Sequence, residues 1–141
     1  MTGVLVAVAT LAVGTLLGVA LRRREGRVRE VTGAERLTAA ELGAELGERA
    51  TLVQFSTAFC RPCQATRRIL ADVAVLVPGV RHVEIDAASR LDLARRFEVL
   101  TTPTVLLLDA AGRVARRASG LPSKPQVLAA LEAVLTDGND Q

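Results

Sequence analysis

The chain of 141 residues is long enough for one globular domain of about a hundred residues plus an appendage, and a domain of that size buries a core without staples or metals. Two cysteines, placed close together, exclude a small secreted scaffold held by several widely spaced disulfides. The net charge of +3 is carried entirely by residues 22–30, where Arg22, Arg23, Arg24, Arg27 and Arg29 outweigh Glu25 and Glu30; with the rest of the chain neutral and no Trp or Tyr for base stacking, nucleic-acid binding is not expected.

Residues 1–24 come first and read as a membrane anchor with a basic flank. Val4 to Leu21 carries no charge, and as a helix it spans roughly 27 Å, near the hydrocarbon thickness of a bilayer. A cleaved signal peptide would open on basic residues and close on a small-residue cleavage site, whereas Met1 to Gly3 has no basic side chain and the run ends in three arginines. A buried core helix fits poorly too, because the run is apolar on every face. The expectation is a single-pass protein of the cell membrane. Arginines after the span, with none before it, put the following domain on the cytoplasmic side by the positive-inside rule; an extracytoplasmic domain is the alternative. Thr10, Gly14 and Gly18 share one helix face and would admit a second copy of the helix in a weak homodimer, although glycine is common in membrane helices without such a role.

Residues 25–36 read as a juxtamembrane linker, 37–136 as a folded domain and 137–141 as a polar tail. Thr38 with Glu41 three residues later is a capping box and predicts a helix of about ten residues, with Leu42 and Leu46 on one face. Thr51 to Phe55 is short, apolar and β-branched, a buried strand. From Cys60, the residues Ile69, Leu70, Val73, Leu76 and Val77 recur at helical spacing until Pro78-Gly79 ends the run. Val80 to Ile85 predicts a strand, and Ser89 with Asp92 predicts the cap of a helix through Phe97. A strand ending at Asp109, a turn over 110–112 and an amphipathic edge strand over 113–119 follow. Ser123 with Gln126 then caps a last helix, Val127 to Leu135.

Cys60-Arg61-Pro62-Cys63 therefore sits where a buried strand gives way to a helix. At a helix N-terminus, unpaired N–H groups and the helix dipole favour an anion, so the Cys60 thiolate is stabilised there, and Arg61 adds charge of the same sense. Cys63, one turn on, is placed to attack a mixed disulfide formed at Cys60 and leave a Cys60–Cys63 disulfide. Pro62 suits the first turn, where its missing N–H removes no hydrogen bond. The blander readings are an inert buried pair and half of a metal site. One dithiol supplies a zinc ion with only two of four ligands, and His82, the single histidine, is distant in sequence; no metal or cofactor is expected.

Over residues 34–141 the sequence resembles the thioredoxin family. The likeness rests on "LVQFSTAFCRPC", on "TTPTVLLLDAAG", and on "VEID" and "GLPSK" ahead of the last two helices. The resemblance implies a thioredoxin-like α/β fold, a central mixed sheet flanked by helices, following the one transmembrane helix. It implies thiol–disulfide oxidoreductase activity through a redox-active Cys60–Cys63 disulfide, with protein disulfides as substrates. An electron donor such as a thioredoxin-reductase-like protein or a membrane thiol carrier would reset the pair. It also makes Pro103 the cis-proline that faces the cysteines and Thr102 a backbone partner for bound substrate. The commonest family loop has Trp and Gly where this chain has Phe59 and Arg61, so Phe59 is either a substrate contact or simple packing, and Arg61 should make the disulfide more oxidising. Gln54 aligns with the family's buried aspartate and His82 with its lysine partner. Gln54 cannot take up a proton, which leaves the assisting base open. The competing function is a non-catalytic docking module at the membrane that uses the groove around Phe59 and Pro103. An envelope-facing oxidoreductase of the cytochrome-maturation type is the reading that goes with the extracytoplasmic orientation.

Overall fold

Residue 24 closes a helix, α1 (Thr2–Arg24), that buries none of its side chains. The computed structural model describes residues 1–24, 26–31 and 35–140. α1 is the one helix among them long and apolar enough to cross a membrane. The hydroxyls of Thr10 and Thr15 donate within the helix, Thr10 to the Val6 carbonyl at 2.9 Å and Thr15 to Leu11 at 2.8 Å, so neither presents an unmet donor on the apolar surface. A second copy against Thr10, Gly14 and Gly18 is not represented in a single chain.

The remaining elements are β1 (Val28–Glu30), α2 (Ala39–Leu42), β2 (Ala50–Ser56), α3 (Arg61–Leu76), β3 (Val80–Asp86), α4 (Leu91–Arg96), β4 (Thr104–Asp109), β5 (Val114–Ser119) and α5 (Lys124–Asn139). The five strands form one sheet in the order β1-β5-β4-β2-β3. β2 and β3 run parallel, joined through α3, whereas β4 lies antiparallel to β2, and β5 and β1 continue antiparallel. β2 is buried at every residue because it lies inside the sheet and both faces are covered. Leu52 and Ala50 pack with Leu70 and Val73 of α3 and with Val127, Leu131 and Val134 of α5. Val53 and Phe55, on the opposite face, pack with Leu93 and Phe97 at α4 and with Leu106 and Leu108.

Four expectations are corrected here. Residues 28–30, inside the stretch read as linker, form β1, and Val28 pairs with Ala118, so β5 is not an edge strand. Three residues of which two are charged carry no strand pattern of their own; it is the exposed backbone of β5 that recruits them. The capping box at Thr38 forms, with Glu41 N–H donating to Thr38 Oγ1 at 3.2 Å and the Thr38 N–H to the Glu41 carboxylate at 2.9 Å, but α2 stops after four residues where Gly43 turns left-handed at φ 68°. Ser89 does not cap α4, because its hydroxyl donates to Asp86 at 2.9 Å and Asp92 is engaged by Arg90. The Ser123–Gln126 capping box forms, and α5 then runs to Asn139, taking in residues 137–139 of the expected tail.

Candidate functional site

The site assembles at the C-terminal ends of β2 and β3 and the N-terminal end of β4. Register brings these ends together: Phe55 pairs with Thr104, so the loop after Ser56 lies beside Thr102 and Pro103. Thr57 and Thr102 hydroxyls are 3.2 Å apart across that junction. Phe59, the last residue before the cysteine, has a left-handed backbone, φ 62°, and a fully exposed side chain, an unusual pairing for a bulky residue. Packing is thus not the role of Phe59 in this fold.

Cys60 is the N-cap of α3. Its Sγ accepts a hydrogen bond from the Cys63 N–H at 3.2 Å, one of the donors that a helix leaves unpaired in its first turn. Pro62 sits in that first turn and Arg61 is exposed beside it. The two cysteines are closed into a disulfide with Cα atoms 5.2 Å apart. They are not equivalent: Cys63 is 1% exposed, and Cys60 is only half-buried. A reagent arriving from solvent reaches Cys60 first. Across from it, the Thr102–Pro103 peptide is cis, and the Thr102 carbonyl oxygen and hydroxyl each lie 3.9 Å from Cys60 Sγ. The Gly120 N–H donates to the Pro103 carbonyl at 2.8 Å and holds that loop on the end of β5.

Under the pair lies a buried polar cluster. Gln54 is fully buried, and its amide donates to the Cys63 carbonyl at 2.8 Å and to Ser56 Oγ at 3.0 Å. Its Oε1, able only to accept, faces His82 Nε2 at 3.0 Å, which makes Nε2 the protonated nitrogen of the ring. Burial lowers the His82 pKa below its ordinary value; Glu84 opposes the shift, and Arg67, paired with Glu84 at 2.5 and 2.8 Å, adds to it. The structure therefore joins Gln54, His82 and Cys63 in one chain of hydrogen bonds. No carboxylate takes part in it. Glu84 lies two residues from His82 on β3 and so on the same face, a relation readable from strand periodicity that sequence reasoning passed over.

A groove of about 710 Å³ runs beside the disulfide, lined by Pro62, Thr102, Pro103, Gly120, Leu121 and Arg22. A second hollow of about 300 Å³ on the other side of Thr102 is framed by Leu91, Val99 and Leu100. Neither Leu121 nor Arg22 belonged to the expected site, and nothing local marks them. Among the described residues, no group of three or more His, Cys, Asp or Glu is arranged to hold a metal ion.

Fold and site together define a dithiol/disulfide protein of the α/β class, with a Cys-x-x-Cys pair capping a helix opposite a cis-proline loop. A sequence model described as thioredoxin matches residues 33–133, and the chain belongs to the thioredoxin family. Thioredoxin-2 of Pyricularia oryzae is 30% identical over 77 residues, an alignment covering 55% of this chain and 45% of that protein. The chain thus spans less than half the length of that curated relative. Among solved structures, a mutant thioredoxin from Halobacterium salinarum superposes with a TM-score of 0.57 at 22% identity, over 62% of this chain and 76% of its own. Mitochondrial thioredoxin 3 from Saccharomyces cerevisiae, in its oxidised form, gives 0.54 at 22% identity, over 61% and 79%. These superpositions establish the shared fold.

Proposed function

We propose that the protein is a membrane-tethered thiol–disulfide oxidoreductase that reduces or exchanges disulfides in protein substrates without a prosthetic group. The observation that carries this reading is the asymmetry of the pair: an accessible Cys60 at a helix N-cap, facing the Thr102–Pro103 backbone, with Cys63 buried beneath it. In the reduced state the Cys60 thiolate attacks a substrate disulfide, forming a mixed disulfide and releasing one substrate thiolate. Cys63 then attacks Cys60 Sγ, the second substrate sulfur leaves, and two electrons have passed from the dithiol to the substrate. Thr102 and Pro103 present the backbone along which a substrate segment lies, and exposed Phe59 offers an apolar contact at its edge. Arg61 favours the thiolate, and Gln54 with His82 hold the Cys63 peptide in place. A dithiol donor, either a thioredoxin-reductase-like protein or a membrane thiol carrier, returns the pair to the reduced state.

Trapping tests the assignment of roles. Cys63→Ser should accumulate mixed disulfides with partner proteins, and iodoacetamide should label Cys60 in the reduced protein; trapping through Cys63 in a Cys60→Ser variant would reverse the two roles. If replacing both cysteines by serine leaves the cellular phenotype intact, docking is the function and the dithiol is incidental.

The tether is α1, whose apolar surface is buried against none of the described residues and whose arginine-rich end favours a cytoplasmic domain. Fusions of alkaline phosphatase and of a green fluorescent protein at the C-terminus test the side. Fluorescence without phosphatase activity is expected; the reverse would leave the envelope oxidoreductase as the reading.

A further inference from the structure

The apolar helix does not end at a free linker. Gly26, two residues past Arg24, is buried; its N–H donates to the Ser119 carbonyl at 2.5 Å, and a Cβ at this left-handed position, φ 77°, would overlap the Leu121 carbonyl. β1 then continues the attachment by pairing Val28, Arg29 and Glu30 with Ala118, Arg117 and Arg116. Consecutive Cα atoms are about 3.8 Å apart, so Arg24 lies at most about 7.6 Å from a residue pinned to the wall of the redox groove. Ser119 and Gly120 are the same residues that hold the Pro103 loop opposite Cys60. Arg22, the first residue after the apolar run ends at Leu21, itself lines that groove with Pro62, Thr102 and Pro103. The groove thus reaches the level at which the helix leaves the apolar layer. Its lining includes Leu121, an exposed apolar side chain.

Resting on the reading of α1 as a tether and of the dithiol as reactive, we infer that the substrates are disulfides in the juxtamembrane segments of other membrane-anchored polypeptides, within about five residues, or about 17 Å of extended chain, of their own span. A domain fixed this closely cannot range over the volume that a long flexible linker would sweep. Two partners confined to the same interface meet at a high effective concentration only if their reactive sulfurs lie at the same height. Cys60 attacks the substrate disulfide and Cys63 resolves it, the substrate gaining the two electrons and the chain ending as the Cys60–Cys63 disulfide.

The experiment uses the full chain, pre-reduced and freed of reductant, in lipid nanodiscs. It compares single-turnover transfer to two single-span peptides that carry the same disulfide either three or thirty residues beyond the span, with soluble insulin as a third substrate. The near disulfide should react at least tenfold faster than the far one. Inserting twenty Gly/Ser residues after Arg24, which leaves Gly26 and β1 in place, should abolish or invert that preference while the insulin rate stays unchanged, showing that the domain is folded. Equal rates on the near and far peptides, or a preference that survives the insertion, would overturn the inference while leaving the oxidoreductase reading intact. No transfer to any of the three substrates would overturn both.

Discussion

α1 and α3 are both long regular helices, of 23 and 16 residues, yet their surfaces are built differently. α3 has one buried stripe, Cys63, Thr66, Leu70 and Val73, and an exposed face that includes Arg67 and Arg68. α1 is apolar all round and buries nothing, with Leu5, Leu11 and Leu16 each about 70% exposed. The lesson is where each helix draws its stability. α3 is held by the core, and that same attachment aims Cys60 and shields Cys63. α1 buries no side chain in this fold, and its exposed apolar surface is the feature on which the proposed tether rests.

The strongest way to break this contrast is to cut into each helix. Leu70→Ala removes a fully buried side chain between α3 and the sheet and should cost about 2–5 kcal/mol, visible as a large fall in the domain's melting temperature. Leu11→Ala in α1 should leave the same melting temperature unchanged within about 0.5 kcal/mol. Equal losses from the two substitutions, measured in detergent micelles, would show that α1 packs against the domain after all.

A smaller effect sharpens the picture of what lies beneath the redox helix. Gln54→Asp introduces a proton acceptor under Cys63 while giving up the amide bonds to the Cys63 carbonyl and Ser56, so substrate release near neutral pH should speed up and stability should fall by about 1–3 kcal/mol. Insulin reduction and thermal melts read the two arms. A variant that matches the parent in both would mean that residue 54 does not govern the pair.

The smallest effect concerns His82, whose pKa in the fold is depressed by burial. The unfolded chain then binds more protons than the native one in the window below about 6.5, the ordinary histidine value, so this contribution to stability is complete above that pH and is lost as pH falls through the window toward the folded pKa. The groups facing the ring are Gln54, Glu84 and, behind Glu84, Arg67. Urea midpoints at pH 7.5 and pH 5 should differ more for the parent than for His82→Gln. An identical pH response in the two proteins would show that His82 does not carry it.

Legibility in the sequence followed the range of each signal. The buried strand at 51–55, the helix that begins at the cysteines, and both capping boxes were readable because period, caps and turn residues are local properties. Gln54 and His82 were singled out by the resemblance as departures from the expected pattern, but their bond to each other and to the Cys63 carbonyl was not legible, since residues 54 and 82 meet only through the β2–β3 pairing. The four-residue length of α2 was hidden because Leu42 and Leu46 fit a helical stripe, while Gly43 between them turned the chain.

By itself, the sequence determined that a dithiol would stand at the start of a helix after a buried strand, and that an apolar helix would precede the domain. Each follows from residues within about twenty positions of one another. That Thr102 and Pro103, some forty residues along the chain, face Cys60 was expected by resemblance alone, and only the tertiary structure supplied the physical contact; that Gly26 docks beside Leu121 at the groove was decided by the tertiary structure entirely. Those encounters are set by strand register, Phe55 with Thr104 and Val28 with Ala118, and register is chosen by the burial of whole faces of the sheet rather than by any pattern inside the segments that meet.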